Sequence, residues 1–112
     1  MHEMSVAQGI IEIAEQAAQD NECTIVHKVN LCIGAMSCIQ AESLKFCFDV
    51  LKDGTVAQQA ELDIEERPAV LRCLQCEHEF KAGPGMSCPV CASKDSKMIS
   101  GNEFFVKDIE AE

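Results

Sequence analysis

The sequence predicts an α/β (α+β) fold: a small mixed sheet with two helices, carrying an inserted four-cysteine, ribbon-like domain. Three observations predict it. Apolar residues recur at helical spacing over 5–20 and again over 41–52, and they alternate with polar ones near 24–33 and 61–65. After residue 69 both periods give way to a stretch rich in cysteine, glycine and proline. With 112 residues, one core and a small appendage are the ceiling.

Taken in order, Ala7, Ile10, Ile11, Ala14, Ala17 and Ala18 fall on one stripe of a first helix. Ser5 followed by Gln8 reads as a capping box, which starts that helix just after the first four residues. In Thr24–Ile33, Val29, Leu31 and Ile33 alternate with Lys28, Asn30 and Cys32, so a strand is expected, closed by Gly34. A second helix is expected over 41–52, with Leu44, Cys47, Phe48 and Leu51 on one face and Gly54 as its stop. Leu62 and Ile64 alternate with Glu61, Asp63 and Glu65 in another strand, ended or kinked by Pro68. After the turn pair Gly101-Asn102, EFFVKDI (103–109) reads as a last strand. The expected organisation is an α/β domain over 1–68, completed by a C-terminal strand within 102–112, and a metal-binding domain over 69–101.

Composition excludes several functions. Hydrophobic residues make up 47%, which supports a packed core rather than disorder. A formal net charge of −10 argues against duplex nucleic acid as a partner, because phosphate binding depends on lysine and arginine releasing counterions. No apolar run approaches the ~20 residues of a membrane span, and MHEMS lacks a basic, then apolar leader pattern. The expectation is a cytoplasmic chain without membrane association. In that setting its eight cysteines read as metal ligands or buried thiols rather than disulfides.

Four of them have ligand spacing. Cys73-Leu-Gln-Cys76 and Cys88-Pro-Val-Cys91 are two CxxC units separated by residues 77–87. A two-residue spacer lets one tight turn present two thiolates, and two facing turns close a tetrahedron around zinc at about 2.3 Å per sulfur. Gly83, Pro84 and Gly85 suit the reversal between them. A closed set of four thiolates leaves no position for substrate water, so the zinc is read as structural. Iron fits the same ligands, and His78 is read either as an exposed knuckle residue or as one able to exchange with a thiolate. Cys23, Cys32, Cys38 and Cys47 have no such spacing and are read as core or incidental thiols.

Met1-His2-Glu3 is the second constellation. The terminal amine, the backbone amide of His2 and its imidazole can form two fused chelate rings, a donor set that favours square-planar Ni(II) or Cu(II). Glu3 could add its amide nitrogen or carboxylate. Such backbone donors must lose protons, so affinity should fall as pH falls.

The ordered set of MHEMS, VNLCIGAMSCIQAESLKFCFDVL (29–51), the two CxxC units and a short acidic tail resembles the HypA/HybF family of hydrogenase-maturation nickel metallochaperones. The resemblance runs over essentially the whole chain. It implies a nickel-binding α/β domain with an inserted zinc domain. It also implies a transferable Ni2+ site at His2 and Glu3 with backbone nitrogens of Met1, His2 and Glu3, and structural Zn2+ on Cys73, Cys76, Cys88 and Cys91. The implied partners are a GTPase accessory protein of nickel insertion and the large subunit of [NiFe]-hydrogenase, with urease maturation proteins in some organisms; both monomers and homodimers fit. Two departures stand out. Some members carry a carboxylate near the position of Gln40, where the nearest acid here is Glu42, and some carry a histidine beside each CxxC, where this chain has His78 and then Ala92.

Enzyme function is not expected: no Ser/His/Asp or Cys/His pairing and no P-loop stand out, and only three histidines are present. The competing reading is a zinc-ribbon module for protein or nucleic-acid interaction. Residues 69–101 set Arg72, Lys81, Lys94 and Lys97 against Glu77, Glu79 and Asp95, with Phe80 as the lone aromatic, which offers no basic stacking face.

Overall fold

The computed structural model describes residues 3–112. In chain order the elements are α1 (Glu3–Asp20), β1 (Val26–Gly34), α2 (Ala41–Leu51), β2 (Glu61–Arg67), β3 (Val70–Cys73), β4 (Glu79–Lys81), a 3-10 turn (Pro84–Met86), β5 (Ser96–Ser100) and β6 (Phe104–Ala111). Two three-stranded sheets result, ordered β2-β1-β6 and β4-β3-β5. The chain divides into two compact units. One holds residues up to Cys32, Cys38–Glu65 and Phe105–Glu112; the other holds Ile33–Ser37 and Glu66–Phe104.

In the α/β unit, α1 buries Ala7, Ile10, Ile11, Ala14 and Ala18, and α2 buries Leu44 and Phe48. These stripes follow the 3.6-residue period, and the two helices pack on one another. Val26, Val29 and Leu31 of β1 and Leu62 of β2 complete the core with Ala57 and Ala60. Burying the whole Phe48 side chain contributes about 1.5–3 kcal/mol relative to exposure. His27 pairs with Glu112 at 3.0 Å and Asn30 donates to the carboxylate of Asp108, so β1 and β6 run antiparallel.

The expected start of α1 needs correction. The helix already includes Glu3, Met4 and Ser5, so Ser5 is not its cap. Gln8 turns forward to Glu12 (3.5 Å) instead of back, and nothing in Glu3–Ser5 breaks a helix. An acid in the first turn is favourable against the helix dipole. Smaller shifts occur elsewhere: β1 begins at Val26 because Thr24 and Ile25 both donate to the Glu112 carbonyl, and β6 continues to Ala111. α2 ends at Leu51, where the Lys52 N–H still reaches the Phe48 carbonyl before Gly54 turns at φ 75°.

Candidate metal centre

The second unit is a small antiparallel sheet under two turns. β3 pairs with β4 through Leu71↔Phe80 and Arg72↔Glu79, and with β5 through Arg72↔Lys97 and Cys73↔Ser96. Arg72 Nη2 lies 2.7 Å from Glu79 Oε2, a cross-strand ion pair that fixes the register. The sequence pattern shows no strands in this stretch, because β3, β4 and β5 are only 4, 3 and 5 residues long, too short for alternation to show.

Each CxxC is a turn with the same bonds. In the first, the Glu77 N–H donates to the Cys73 carbonyl (3.0 Å), the Cys73 N–H to the His78 carbonyl (2.9 Å) and the Gln75 N–H to Cys73 Sγ (3.4 Å). In the second, the Ala92 N–H donates to the Cys88 carbonyl (2.8 Å), the Cys88 N–H to the Ser93 carbonyl (2.9 Å) and the Val90 N–H to Cys88 Sγ (3.4 Å). Glu77 and Ala92 hold equivalent left-handed positions, at φ 65° and 63°. Leu74 is tied to the Asp95 carbonyl at 2.9 Å.

These turns bring four sulfurs together. Cys73, Cys76, Cys88 and Cys91 place their Sγ atoms all within 4.8 Å of one another, with Cys73–Cys91 at 3.4 Å and Cys76–Cys88 at 3.5 Å. A tetrahedron with metal–sulfur bonds of about 2.3 Å has edges of about 3.8 Å, so the cluster is the right size to hold a zinc-like ion. The first cysteine of each pair is buried and the second exposed.

Protonation follows the same division. Backbone hydrogen bonding at Cys76 and Gln75 lowers the Cys73 thiol to about 6 against its burial, with the Cys91 and Cys76 thiols assisting. At Cys88, burial is the largest influence and works upward, but backbone bonds from Cys91 and Val90 and the adjacent thiols carry the net shift downward. The Cys76 thiol is pushed up to about 12: the His78 backbone bond opposes this, and burial with the Cys88, Cys91 and Cys73 thiols outweighs it. Cys91 also rises, its Ser93 backbone bond being outweighed by Cys73, burial and Cys88. Four thiolates at this spacing cannot all be charged unless a cation shares the space. The donor set therefore fits a soft dication, and Cys73, Cys76, Cys88 and Cys91 are the residues that would hold it.

His78 is exposed, and its ring stacks on Phe80 with centroids 6.4 Å apart. Of the other cysteines, Cys32 is buried, Cys23 and Cys47 are half-buried, and Cys38 is exposed at φ 64°. Of the expected terminal site, Met1 and His2 lie outside the described residues, and Glu3 is the half-buried first residue of α1. Gln40 precedes α2 as its N-cap, without a side-chain cap bond, and Glu42 is exposed in the first turn.

A family model described as "Hydrogenase/urease nickel incorporation, metallochaperone, hypA" matches residues 1–111. The chain belongs to the HypA family. A hydrogenase maturation factor HypA of Chlorobium limicola is 40% identical over 113 aligned positions, covering 100% of this chain and 97% of that protein. One from Dehalococcoides mccartyi is 34% identical, covering 100% and 95%. Among solved structures, the Ni metallochaperone HypA from Helicobacter pylori superposes with a TM-score of 0.69 at 29% identity, over 99% of this chain and 97% of that one. A second HypA solution structure gives 0.74 at 30% identity, over 99% and 96%. HypA membership makes this chain a hydrogenase-maturation metallochaperone, and its four-cysteine cluster is a group that could hold a metal ion. No described helix is long and apolar enough to cross a membrane.

Proposed function

We propose that this chain binds Ni(II) at its N-terminus and delivers it during maturation of [NiFe]-hydrogenase, while a resident zinc ion on Cys73, Cys76, Cys88 and Cys91 holds the ribbon. The nickel donors in this reading are the His2 imidazole, the backbone nitrogens of Met1, His2 and Glu3, and Glu3 itself. The whole-chain family match carries the reading. The chemistry of an amine, amide and imidazole chelate supports nickel over zinc at the terminus, and four soft sulfurs support zinc over nickel in the ribbon. The proposed domains are 1–68 with 102–112 for nickel and 69–101 for zinc. The setting is the cytoplasm, and the partners are a GTPase accessory protein and the hydrogenase large subunit.

A site built from a chain terminus suits delivery, because its donors can be exchanged one at a time for those of a recipient. The zinc ion, when bound, supplies cross-linking rather than chemistry. In this chain the turn amides of Cys76 and Gln75 favour charge on Cys73, and those of Cys91 and Val90 on Cys88, ready for a cation. The test is isothermal titration of nickel into zinc-loaded protein with an untagged terminus, beside His2→Ala. Stoichiometric binding that His2→Ala abolishes is the expected result. Equal binding in both, or none in either, would leave an interaction module without metal delivery as the better account.

A further inference from the structure

Helix α2 carries an apolar pair that its own fold does not use. Leu44 and Phe48 fill the core side with no exposed surface, so the helix is already anchored. Phe46 and Val50, one turn apart, stand on the other side, 67% and 52% exposed. Scattered exposed apolar residues are ordinary, but an aromatic and a branched aliphatic at i and i+4 make one continuous patch. Glu42, one turn before Phe46, and Asp49, beside Val50, flank it, with Lys45 as the opposing charge. Lys52 offsets Asp49, pairing with it at 3.0 Å while donating to the Ala60 carbonyl at 2.9 Å, so the excess of acid belongs to the unit as a whole. The α/β unit that displays the patch holds fourteen acidic and four basic residues.

We propose that Phe46 and Val50 anchor a basic protein surface, an apolar socket rimmed by lysine or arginine. Charge selects the occupant: so acidic a unit repels a second copy of itself and draws a cationic partner, raising the encounter rate. The size of the patch sets the lifetime. Two side chains fall well short of the area a stable dimer buries, so the contact is transient, as passing on a cargo requires. The aromatic ring supplies the buried anchor, while the carboxylates stay at the rim and orient the approach. Neither anchor belongs to the donor set assigned to nickel, so this inference stands or falls apart from the terminal site.

The experiment is calorimetry with 1H–15N shift mapping on the zinc-loaded protein. The probe is a short amphipathic leucine–lysine helix, with a leucine–glutamate helix as control. The lysine helix should bind, move resonances centred on Phe46, Val50, Glu42 and Asp49, and weaken as salt rises; the glutamate helix should not bind. Phe46→Ser with Val50→Ser should weaken binding by roughly tenfold or more. Glu42→Lys with Asp49→Lys, which keeps the apolar pair, should weaken it as well. Helical circular dichroism and nickel titration should match the parent in both variants. Undiminished affinity in the serine variant, shifts centred on the carboxylates of β6, or no binding at all would overturn the proposal.

Discussion

The α/β unit hides Ile10, Ile11, Leu31, Leu44 and Phe48 almost completely, whereas the buried hydrophobic residues described in the ribbon unit are Ile33, Ala69, Leu71 and two cysteines. Charge divides along the same line: fourteen acidic and four basic residues in the first unit, five and five in the second. The first unit can rely on apolar burial and tolerate self-repulsion, because its core is large enough to offset it. The second cannot bury enough carbon, and its four-sulfur cluster is where a metal ion would do the work of a core.

The largest expected effect tests that division directly. Chelation of the metal removes a binding free energy that for structural zinc sites runs to about 10–16 kcal/mol, and Cys73→Ser removes part of it. The amides of β3, β4 and β5 should then exchange quickly, while those of α1 and α2 stay protected; hydrogen exchange read by mass spectrometry separates the two. Protected β3 amides after zinc removal would refute the contrast. Phe48→Ala should do the reverse: a fully buried ring lost from the first unit costs about 3–5 kcal/mol by denaturant titration, with zinc content unchanged.

Legibility divides differently from stability. The cysteine spacing could be read because two ligands on one turn are a local matter, and the stripe of α1 because it repeats over 18 residues. The strands β3–β5 could not be read, because pairings such as Arg72↔Glu79 join residues whose short runs carry no period. Ser5 misled because capping is a competition, and Gln8 reached Glu12 instead. The amides that tune Cys73 belong to Cys76 and Gln75, and those that tune Cys88 to Cys91 and Val90, backbone groups for which a sequence gives only the position. The interest of His2 came from donor chemistry and family resemblance, which depend on its place in the chain rather than on folding.

Glycines sharpen the comparison on a smaller scale. A Cβ on Gly34 would lie 2.1 Å from the Gly101 carbonyl oxygen, and Gly101 sits at φ 122° with a Cβ position 2.8 Å from Ala69 Cα. Both lie in the second unit, where the backbones of 33–37 and 101–103 bond directly: Met36 donates to the Gly101 carbonyl and Gly34 to that of Glu103. Gly34→Ala or Gly101→Ala should therefore destabilise the ribbon unit by more than about 1 kcal/mol. Gly9, in mid-α1, has open space where its Cβ would point, so Gly9→Ala should stabilise the first unit by about 0.5–1 kcal/mol. Thermal melts of the variants decide both, and equal signs in the two units would contradict the packing described.

The smallest effect concerns the turn beside that crossing. Glu103 Oε1 accepts the Gly101 N–H at 2.8 Å. Its own backbone N–H first, then that of Gly101, hold its carboxyl below the usual range, with Arg67 assisting and partial burial opposing. A carboxylate whose folded value is depressed contributes stability that is fully present above its unfolded value, about 4.3, and is lost as pH falls through the folded one. Acid should thus loosen the Gly101 turn below about pH 4. Protonation of the four cysteines, were they holding zinc, would act in the same direction and far more strongly, so only a difference between variants isolates Glu103. Glu103→Gln keeps an acceptor for Gly101 but has no charge to lose. The parent should surpass this variant near neutral pH, and the gap in ribbon stability should close as the solution is acidified. Parallel curves for the two proteins would mean that the charge of Glu103 contributes nothing, leaving its neutral hydrogen bond to hold the turn.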